Sequence, residues 1–247
     1  MTRPILVIPA RLAATRLPGK PLADIAGEPM IVHVWRRACE ADLGPVLVAA
    51  GDPAIVEAIA AVGGRAVLTD PDLPSGSDRV WQALTRADPD GHHDVIVNIQ
   101  GDLPTLEPAV PRATLAALHT DPAIDLATPV CAITRPEELG NPNVVKAVAG
   151  FAPGASHARA LYFSRACVPT GEGPVYHHIG LYAWRRAALC AFVSWPPGVL
   201  ERRERLEQLR ALEHHLRIEA ALVDTVPLGV DTQDDLERAR AALGRTA

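Results

Sequence analysis

The chain has little cysteine, and none of it is spaced for a metal knuckle or a dithiol motif. Only four of the 247 residues are cysteine, at positions 39, 131, 167 and 190. No two of them form a CxxC pair, which argues against zinc-knuckle and thioredoxin-like chemistry. We therefore expect reduced thiols and a cytoplasmic location.

The chain also lacks long apolar runs and an excess of positive charge. No stretch approaches the roughly 18 to 20 apolar residues that cross a bilayer. The apolar segment 4–10 is followed at once by Arg11 and, further on, Arg16, which is not the pattern of a secretory signal peptide. With 24 Lys and Arg against 29 Asp and Glu, the net charge is −5. We expect neither nucleic acid nor a membrane as a partner.

What the chain does contain is a regular alternation of short apolar runs and helical patterns, with no repeat or low-complexity segment. Predicted strands lie at 5–8, 46–50, 66–68, 94–99, 125–130, 143–149, 160–163, 179–183 and 217–223. Predicted helices lie at 28–41, 52–62, 77–87, 107–118, 184–192, 204–215 and 232–243. The early strands are unbroken Val, Ile and Leu runs, as in a parallel sheet covered on both faces. We predict an α/β fold, a doubly wound and mostly parallel sheet in one domain over 1–247, with a smaller mixed lobe at about 130–180.

The loop after the first strand is strongly basic. Arg11, Arg16 and Lys20 occur within ten residues, at a strand end where open α/β sheets bind ligands. Guanidinium and ammonium groups together suit a polyphosphate. The loop is not a Walker A motif, because Ala14 and Pro21 stand where that motif needs glycine and a hydroxyl. A solvated basic turn is the alternative.

Two acidic residues follow predicted strands. Asp102 ends Gln100-Gly101-Asp102, and Asp231 follows a second strand-like stretch. Mg²⁺ takes oxygen ligands and keeps several waters, so one or two carboxylates plus phosphate oxygens suffice to hold it. For Asp231 the alternative is a helix N-cap.

Seven segments, taken together and in order, resemble the CMP-sugar-acid synthetases, and most closely the 3-deoxy-manno-octulosonate (KDO) cytidylyltransferase family. The likeness spans residues 4 to 243. The segments are 8–11 with 15–22, 27–34, 75–79, 97–102, 160–166, 206–210, and 229–232 with 235–238.

The resemblance implies a nucleotide-diphospho-sugar transferase-like fold and a homodimer. The implied reaction is CTP plus KDO giving CMP-KDO and pyrophosphate with Mg²⁺, for lipopolysaccharide synthesis. The residues implied for the triphosphate are Arg11 and Lys20, with Arg16 near it. Those implied for the cytidine side are Ala10, Ala13, Ser75 and Gln100. Those implied for the metal are Asp102 and Asp231. Those implied for the sugar acid are Arg79, Arg165, His178, Tyr182, Glu207 and Gln208.

The sequence departs from the commonest family pattern at four places. Ser77-Asp78 replaces a frequent Thr-Glu, and Leu103 replaces an acidic residue, so position 103 is not counted as a metal ligand. The segment 169–177 is shorter than in many members, which bears on the sugar lobe or the dimer edge. His177 stands where arginine is common.

Plainer roles stay open for four of these residues. His178 would also suit a buried, hydrogen-bonded histidine, and Tyr182 would suit core packing. Glu207 and Gln208 would suit a solvated helix face.

Three other functions also stay open. The first is a nucleotidyltransferase for an amino-KDO, another sugar acid or a different nucleobase. The second is a metal-dependent glycosyltransferase, which would release no pyrophosphate. The third is a non-enzymatic nucleotide-binding module.

Overall fold

The chain folds into two compact units, seen in a computed structural model that describes residues 2–13 and 17–244. The first unit runs to Ala109 and resumes at Pro227, and the second is Val110–Val226. The strands are β1 Pro4–Ala10, β2 Asp24–Ile25, β3 Glu28–Pro29, β4 Val46–Ala50, β5 Arg65–Leu68, β6 Val95–Asn98, β7 Leu126–Ala132, β8 Lys146–Ala149, β9 His157–Ser164, β10 Tyr176–His178, β11 Tyr182–Arg185 and β12 Ile218–Val223. The helices are α1 Met30–Glu40, α2 Pro53–Ala61, α3 Gly76–Ala87, α4 Ala109–Leu118, α5 Pro136–Leu139, α6 Arg186–Ser194, α7 Val199–Glu204, α8 Gln208–Glu213 and α9 Gln233–Leu243, with a 3₁₀ turn at Lys20–Leu22.

The first unit holds a parallel sheet in the order β6-β1-β4-β5. Its central strand is buried from Ile5 to Ala10, which explains why the sequence shows an unbroken apolar run and no alternation. Helix α1 buries Met30, Val34 and Ala38, so the apolar face predicted for this segment is confirmed. Because β1, β4 and β6 are parallel, their carboxyl ends meet at one edge of the sheet.

The C-terminal segment of the first unit is fixed by a small apolar cluster. Val230 on this segment and Leu236 on α9 pack with Ile25 and Met30, and all four side chains are buried. Thr232 accepts a hydrogen bond from the Asp235 amide at 3.3 Å, and the Asp235 carboxylate accepts one from the Thr232 amide at 3.0 Å. This capping box makes Thr232 the N-cap of α9, so Asp231 lies just outside the helix.

The second unit holds a mixed sheet in the order β10-β8-β9-β12-β7-β11. Only β12 and β7 are parallel among its described pairings, and the others are antiparallel. The predicted mixed lobe at about 130–180 falls inside this unit, which is longer at both ends. Strand β10 was not predicted.

Two helix boundaries differ from the sequence prediction. Ser75, and neither Ser77 nor Asp78, is the N-cap of α3, because its side chain accepts the Asp78 amide. The helix predicted at 204–215 is shorter at both ends: it is α8, Gln208–Glu213. It is preceded by α7, which was not predicted and is followed by Arg205 in a left-handed conformation with φ 56°. None of the helices in the described residues is long and apolar enough to span a membrane.

Candidate active site

A cavity of about 340 Å³ opens in the first unit beside the carboxyl ends of β1 and β6. This volume falls in the range of small-molecule sites. The lining residues are Pro9, Ala10, Arg11, Ala13, Lys20, Pro21, Leu73, Ser75, Gly76, Arg79, Gln100, Gly101 and Asp102. Predicted nucleotide residues from four separate segments therefore line one cavity. Arg16 lies outside the described residues.

Lys20 joins Asp102, which follows β6, to Asp231, which lies in the segment before α9 and directly follows no strand among the described residues. Its ammonium donates to Asp102 Oδ2 at 2.9 Å and to Asp231 Oδ1 at 3.2 Å. The Lys20 side chain is 14% exposed and that of Asp231 is 50% exposed, so the cluster opens to solvent on the Asp231 side. Two carboxylates that are 129 residues apart in the chain thus share one cation (231 − 102 = 129).

Two hydrogen bonds donated by backbone amides hold the segments that carry these aspartates side by side. The Val230 amide donates to the Asp102 carbonyl at 3.0 Å. The Leu228 amide, two residues before Val230, donates to the Thr105 hydroxyl, three residues after Asp102, at 2.9 Å. These two bonds fix Asp231 next to Asp102 independently of the ion pairs.

The charge of Lys20 is stabilised where it lies. Burial alone would lower the pKa of Lys20, but attraction to Asp102 and Asp231 and the hydrogen bonds to both outweigh burial and raise it. The ammonium is therefore a permanent cation between the carboxylates at neutral pH.

The same pair of carboxylates suits a divalent cation. Within residues 2–13 and 17–244, no group of three or more His, Cys, Asp or Glu side chains is arranged to hold a metal ion. Asp102 and Asp231 supply hard oxygen donors that already bracket a positive charge. Two such carboxylates are enough for Mg²⁺ when phosphate oxygens and water complete its shell. The residues present therefore fit the ion, provided that Lys20 gives up its place.

Arg79 is buried in the wall of the cavity. It is 2% exposed. Its guanidinium donates to Thr69 Oγ1 at 2.5 Å and to the carbonyls of Asp70 and Pro71 at 2.9 and 3.1 Å. Burial lowers the pKa of Arg79 and the neighbouring Arg11 lowers it further. The predicted contact of Arg79 with the sugar acid stays a prediction, and the structure gives its guanidinium a bracing role for the segment 69–71.

Ser75 uses its hydroxyl to start α3. Its Oγ donates to Asp78 Oδ2 at 2.6 Å and accepts the Asp78 amide at 3.2 Å. Aspartate at this position, where the family commonly has glutamate, is thus long enough to complete the cap. Ser75 would therefore contact a ligand chiefly through its backbone.

The second unit buries His178 in a hydrogen-bonded network. The Gln208 amide donates to Nδ1 at 3.3 Å, so the neutral ring carries its proton on Nε2 and donates to Thr128 Oγ1 at 2.9 Å. The Thr128 hydroxyl donates in turn to the Leu181 carbonyl at 2.8 Å. Burial, reinforced by His177, lowers the pKa of His178 to about 3. His178 is therefore a neutral, oriented group at any ordinary pH.

Three further predicted residues lie around or near this network. The ring of Tyr182 lies 5.7 Å from that of His178, and burial, with the charge of Glu207, raises its pKa. Arg165 donates to the carbonyls of Glu204, Pro142 and Arg205 at 2.9, 2.9 and 3.2 Å. The structure thus brings His178, Tyr182, Glu207 and Gln208 together, while the described bonds of Arg165 hold the chain around α7.

Two supporting residues were not predicted. The sequence places Asp52 at the start of the predicted helix 52–62, where an aspartate suits the N-cap, although Asp52 also follows the carboxyl end of β4 as Asp102 follows that of β6. Thr128 lies in an apolar strand and carries no sequence signal, because its partners come from residues 178 and 181.

The chain matches known proteins over almost its whole length. The sequence profile of the cytidylyltransferase family matches residues 5–218. A 3-deoxy-manno-octulosonate cytidylyltransferase from Rhodospirillum rubrum is 70% identical over 98% of this chain and 96% of its own length. One from Paramagnetospirillum magneticum is 65% identical over 97% of each chain.

Solved structures agree with these matches. A CMP:2-keto-3-deoxy-manno-octonic acid synthetase complexed with CTP superposes with a TM-score of 0.90, at 36% identity and over 100% of both chains. A nucleotidyl transferase from Methanothermobacter, at 18% identity and a TM-score of 0.63 over 100% of both chains, shares the fold.

The fold and the sequence matches define a nucleotidyltransferase of the α/β class, and the profile match shows that the chain belongs to the cytidylyltransferase family. Within that family it belongs with the 3-deoxy-manno-octulosonate cytidylyltransferases. The family indicated by the seven motifs and the α/β fold predicted from the alternation of strands and helices are both confirmed. The parallel part of the sheet is the first unit, and the second unit is mixed.

Proposed function

We propose that the chain joins CTP to KDO and releases CMP-KDO and pyrophosphate. The observation that carries this proposal is the sharing of Lys20 by Asp102 and Asp231 at the cavity. This arrangement combines a cation for a polyphosphate with an oxygen site for a divalent ion, as nucleotidyl transfer requires. The relatives at 65 to 70% identity, which carry the name of this activity, specify the nucleotide and the sugar acid.

The reaction is an in-line displacement at phosphorus. The C2 hydroxyl oxygen of KDO forms a bond to the α-phosphorus of CTP, the bond to the β-phosphate oxygen breaks, and the hydroxyl proton passes to solvent. Such transfers depend on positioning and on neutralising charge. Arg11 lines the cavity and would bind the leaving phosphates. Lys20 would exchange a carboxylate for a phosphate oxygen when CTP enters.

We propose Mg²⁺ as the cofactor, held by Asp102 and Asp231. When bound, this ion would supply Lewis-acid stabilisation of phosphate charge and lower the pKa of a coordinated hydroxyl. The chain's contribution is the pair of carboxylates, which are held side by side by the bond from the Val230 amide to the Asp102 carbonyl and the bond from the Leu228 amide to the Thr105 hydroxyl.

The second unit would supply the contacts to the sugar acid. Gln208, which neutral His178 orients through Nδ1, would present its amide group to sugar hydroxyls. Arg165 uses three of its five guanidinium donors on backbone carbonyls in the described bonds. One N–H on each terminal nitrogen would still suit the C1 carboxylate of KDO.

Pyrophosphate release tests the proposed function. The protein is incubated with Mg²⁺, CTP and KDO, and in parallel with an 8-amino analogue, a nine-carbon sugar acid, or UTP in place of CTP. We expect rapid release only when CTP and KDO are both present. Release favouring the amino analogue or another sugar acid would replace the substrate, and release favouring UTP would replace the nucleotide.

The two other classes of function predict different results. A glycosyltransferase would consume a sugar nucleotide and release no pyrophosphate. A binding module would bind CTP without any turnover. Either result would contradict the proposed function.

We also propose a homodimer that acts in the cytoplasm and supplies activated KDO for lipopolysaccharide synthesis. All four cysteines lie in the described part of the chain and are free thiols, in keeping with a reducing compartment. Sedimentation equilibrium of the full chain tests the dimer, and a single species of about 26 kDa (the mass of one chain, 26.3 kDa) would contradict it.

A further inference from the structure

The Asp52 carboxylate accepts a hydrogen bond from the basic loop that follows β1. Asp52 stands at the N-cap position of α2, two residues after the end of β4, yet its side chain makes no capping hydrogen bond to that helix. Instead, Asp52 Oδ2 accepts the backbone amide of Leu12 at 2.9 Å, across 40 residues of sequence. A carboxylate that accepts a backbone N–H forms one of the stronger hydrogen bonds in proteins.

Leu12 is held at both of its backbone groups. While its amide donates to Asp52, its carbonyl accepts the Gly19 amide at 3.1 Å. The segment 12–19 is therefore closed at its base. Gly19 has φ 72°, a left-handed conformation that favours glycine, and it starts the 3₁₀ turn.

The two proposed phosphate-binding cations flank this closed base. Arg11 directly precedes Leu12, and Lys20 directly follows Gly19. Both line the same cavity. The hydrogen bond that Asp52 accepts from Leu12 therefore fixes the backbone next to Arg11 and, through the Leu12–Gly19 bond, next to Lys20.

Asp52 can reach Leu12 because the residue before it is glycine. The Gly51 amide donates to the Ala10 carbonyl at 2.8 Å, which ties the end of β4 to the end of β1. A Cβ at position 51 would lie 2.7 Å from Arg79 Nη1 and 3.1 Å from Arg11 Cβ. Because glycine leaves this space open, the backbone that carries Asp52 fits between two arginines.

We propose that Asp52 is a positioning residue for the triphosphate: by fixing Leu12, it sets where Arg11 and Lys20 meet CTP. The proposal rests on the proposed function, because it takes the cavity to be the CTP site. Asp52 is not among the residues that line the cavity. It acts through the geometry of the loop base, so its loss should weaken CTP binding and leave KDO binding alone.

Two substitutions separate the hydrogen bond from the charge. D52A removes both, whereas D52N keeps an oxygen that accepts the Leu12 amide and removes only the charge. The dissociation constant for CTP is measured by calorimetry without KDO, and KM for each substrate and kcat are measured by pyrophosphate release. We expect D52A to weaken CTP binding about tenfold, the factor that corresponds to about 1.4 kcal/mol. KM for KDO should not change, and D52N should restore most of the CTP affinity.

The matched control is Asp88, a carboxylate of the first unit that also binds backbone. It accepts the amides of His92 and His93 at 2.8 and 3.0 Å, away from the cavity lining. D88A should lower the melting temperature at least as much as D52A and leave CTP affinity unchanged. If D52A does not fold, D52S serves in its place, since serine can cap α2 but is too short to hold Leu12.

Wild-type CTP affinity in D52A or D52S would overturn the proposal. Equal loss of CTP affinity in D52N and D52A would also overturn it, because the effect would then come from charge. Failure of the proposed function looks different. In that case the wild-type protein would bind CTP but release no pyrophosphate with KDO, and the calorimetric comparison among the variants would still stand.

Discussion

Each unit contains an ion-paired cluster, and the two clusters differ in how far they are exposed to solvent. In the first, Lys20 shares two carboxylates, one of which is half exposed. In the second, Arg210 pairs with Glu201 through two bonds of 2.8 and 2.6 Å, with side chains only 6% and 12% exposed. Arg210 also lies 4.5 Å above the ring of Phe192.

This difference in exposure indicates which ion pairs can open to bind a ligand. Breaking a closed, buried pair leaves an uncompensated charge, which costs about 3–5 kcal/mol, so such a pair holds the fold together. An open cluster with surplus negative charge can exchange its lysine for another cation at little cost. The Lys20 cluster is of this open kind. The network around His178 differs from both ion pairs, because burial keeps its histidine neutral.

The largest effect should come from removing either carboxylate of the open cluster. We expect D102N and D231N each to lower kcat by at least about 10²-fold, because each removes half of the proposed metal site. Initial rates of pyrophosphate release at saturating CTP and KDO measure this. D121N, which alters an exposed aspartate paired with Arg217 in the second unit, is the control and should keep its rate. A near-normal rate in D102N or D231N would count strongly against the shared site.

The neutral histidine should appear in the pH dependence of stability. His178 binds a proton only near pH 3 when folded, but near 6.5 when unfolded. Between these values the unfolded chain binds more protons, so stability is lost as the pH falls below 6.5. From pH 7 to pH 5 the wild type should lose about 2 kcal/mol more than H178Q, measured by urea unfolding.

A second variant separates the causes of this shift. Burial is the main cause of the low pKa of His178. T128V, which removes the hydroxyl partner but keeps the ring buried, should therefore retain the wild-type pH dependence. If H178Q and the wild type lose stability equally, His178 is not held neutral by the fold.

A smaller effect is expected on the affinity of the open Lys20 cluster for a divalent ion. Because the Lys20 ammonium competes with a divalent ion for Asp102 and Asp231, K20M should bind Mn²⁺ about tenfold more tightly in the absence of CTP. The same variant should bind CTP more weakly. Electron paramagnetic resonance of free Mn²⁺ measures the first effect. R36M, which removes an exposed cation paired with Glu28, should not change it. Weaker Mn²⁺ binding in K20M would show that Lys20 supports the ion and does not compete with it.

The parallel unit was largely predictable because its signals are local. Its strands are apolar runs, and parallel strands bring their ends to one edge, so Asp102 and the basic loop were found by position. The same rule applied to the end of β4 would have identified Asp52. Its role stayed hidden because the sequence also allows a helix cap there, and only the fold brings Leu12 within reach.

The second unit was less predictable because long-range contacts set its boundaries. The helix predicted at 204–215 begins only at Gln208, because α7 ends at Glu204 and Arg205 adopts a left-handed conformation. The carbonyls of Glu204 and Arg205 accept hydrogen bonds from Arg165. Strand β10 is three residues long, and its partners are β7 and β8, far away in sequence. The local sequence pattern does not predict such pairings, because they depend on strands that are distant in the chain.

The most direct test is a crystal structure of the chain with CTP and Mn²⁺, in which anomalous scattering locates the metal. We expect a manganese peak within coordination distance of both Asp102 and Asp231, with the Lys20 ammonium moved onto a phosphate oxygen. A peak elsewhere, with Lys20 still bridging the two carboxylates, would contradict the shared-cation site.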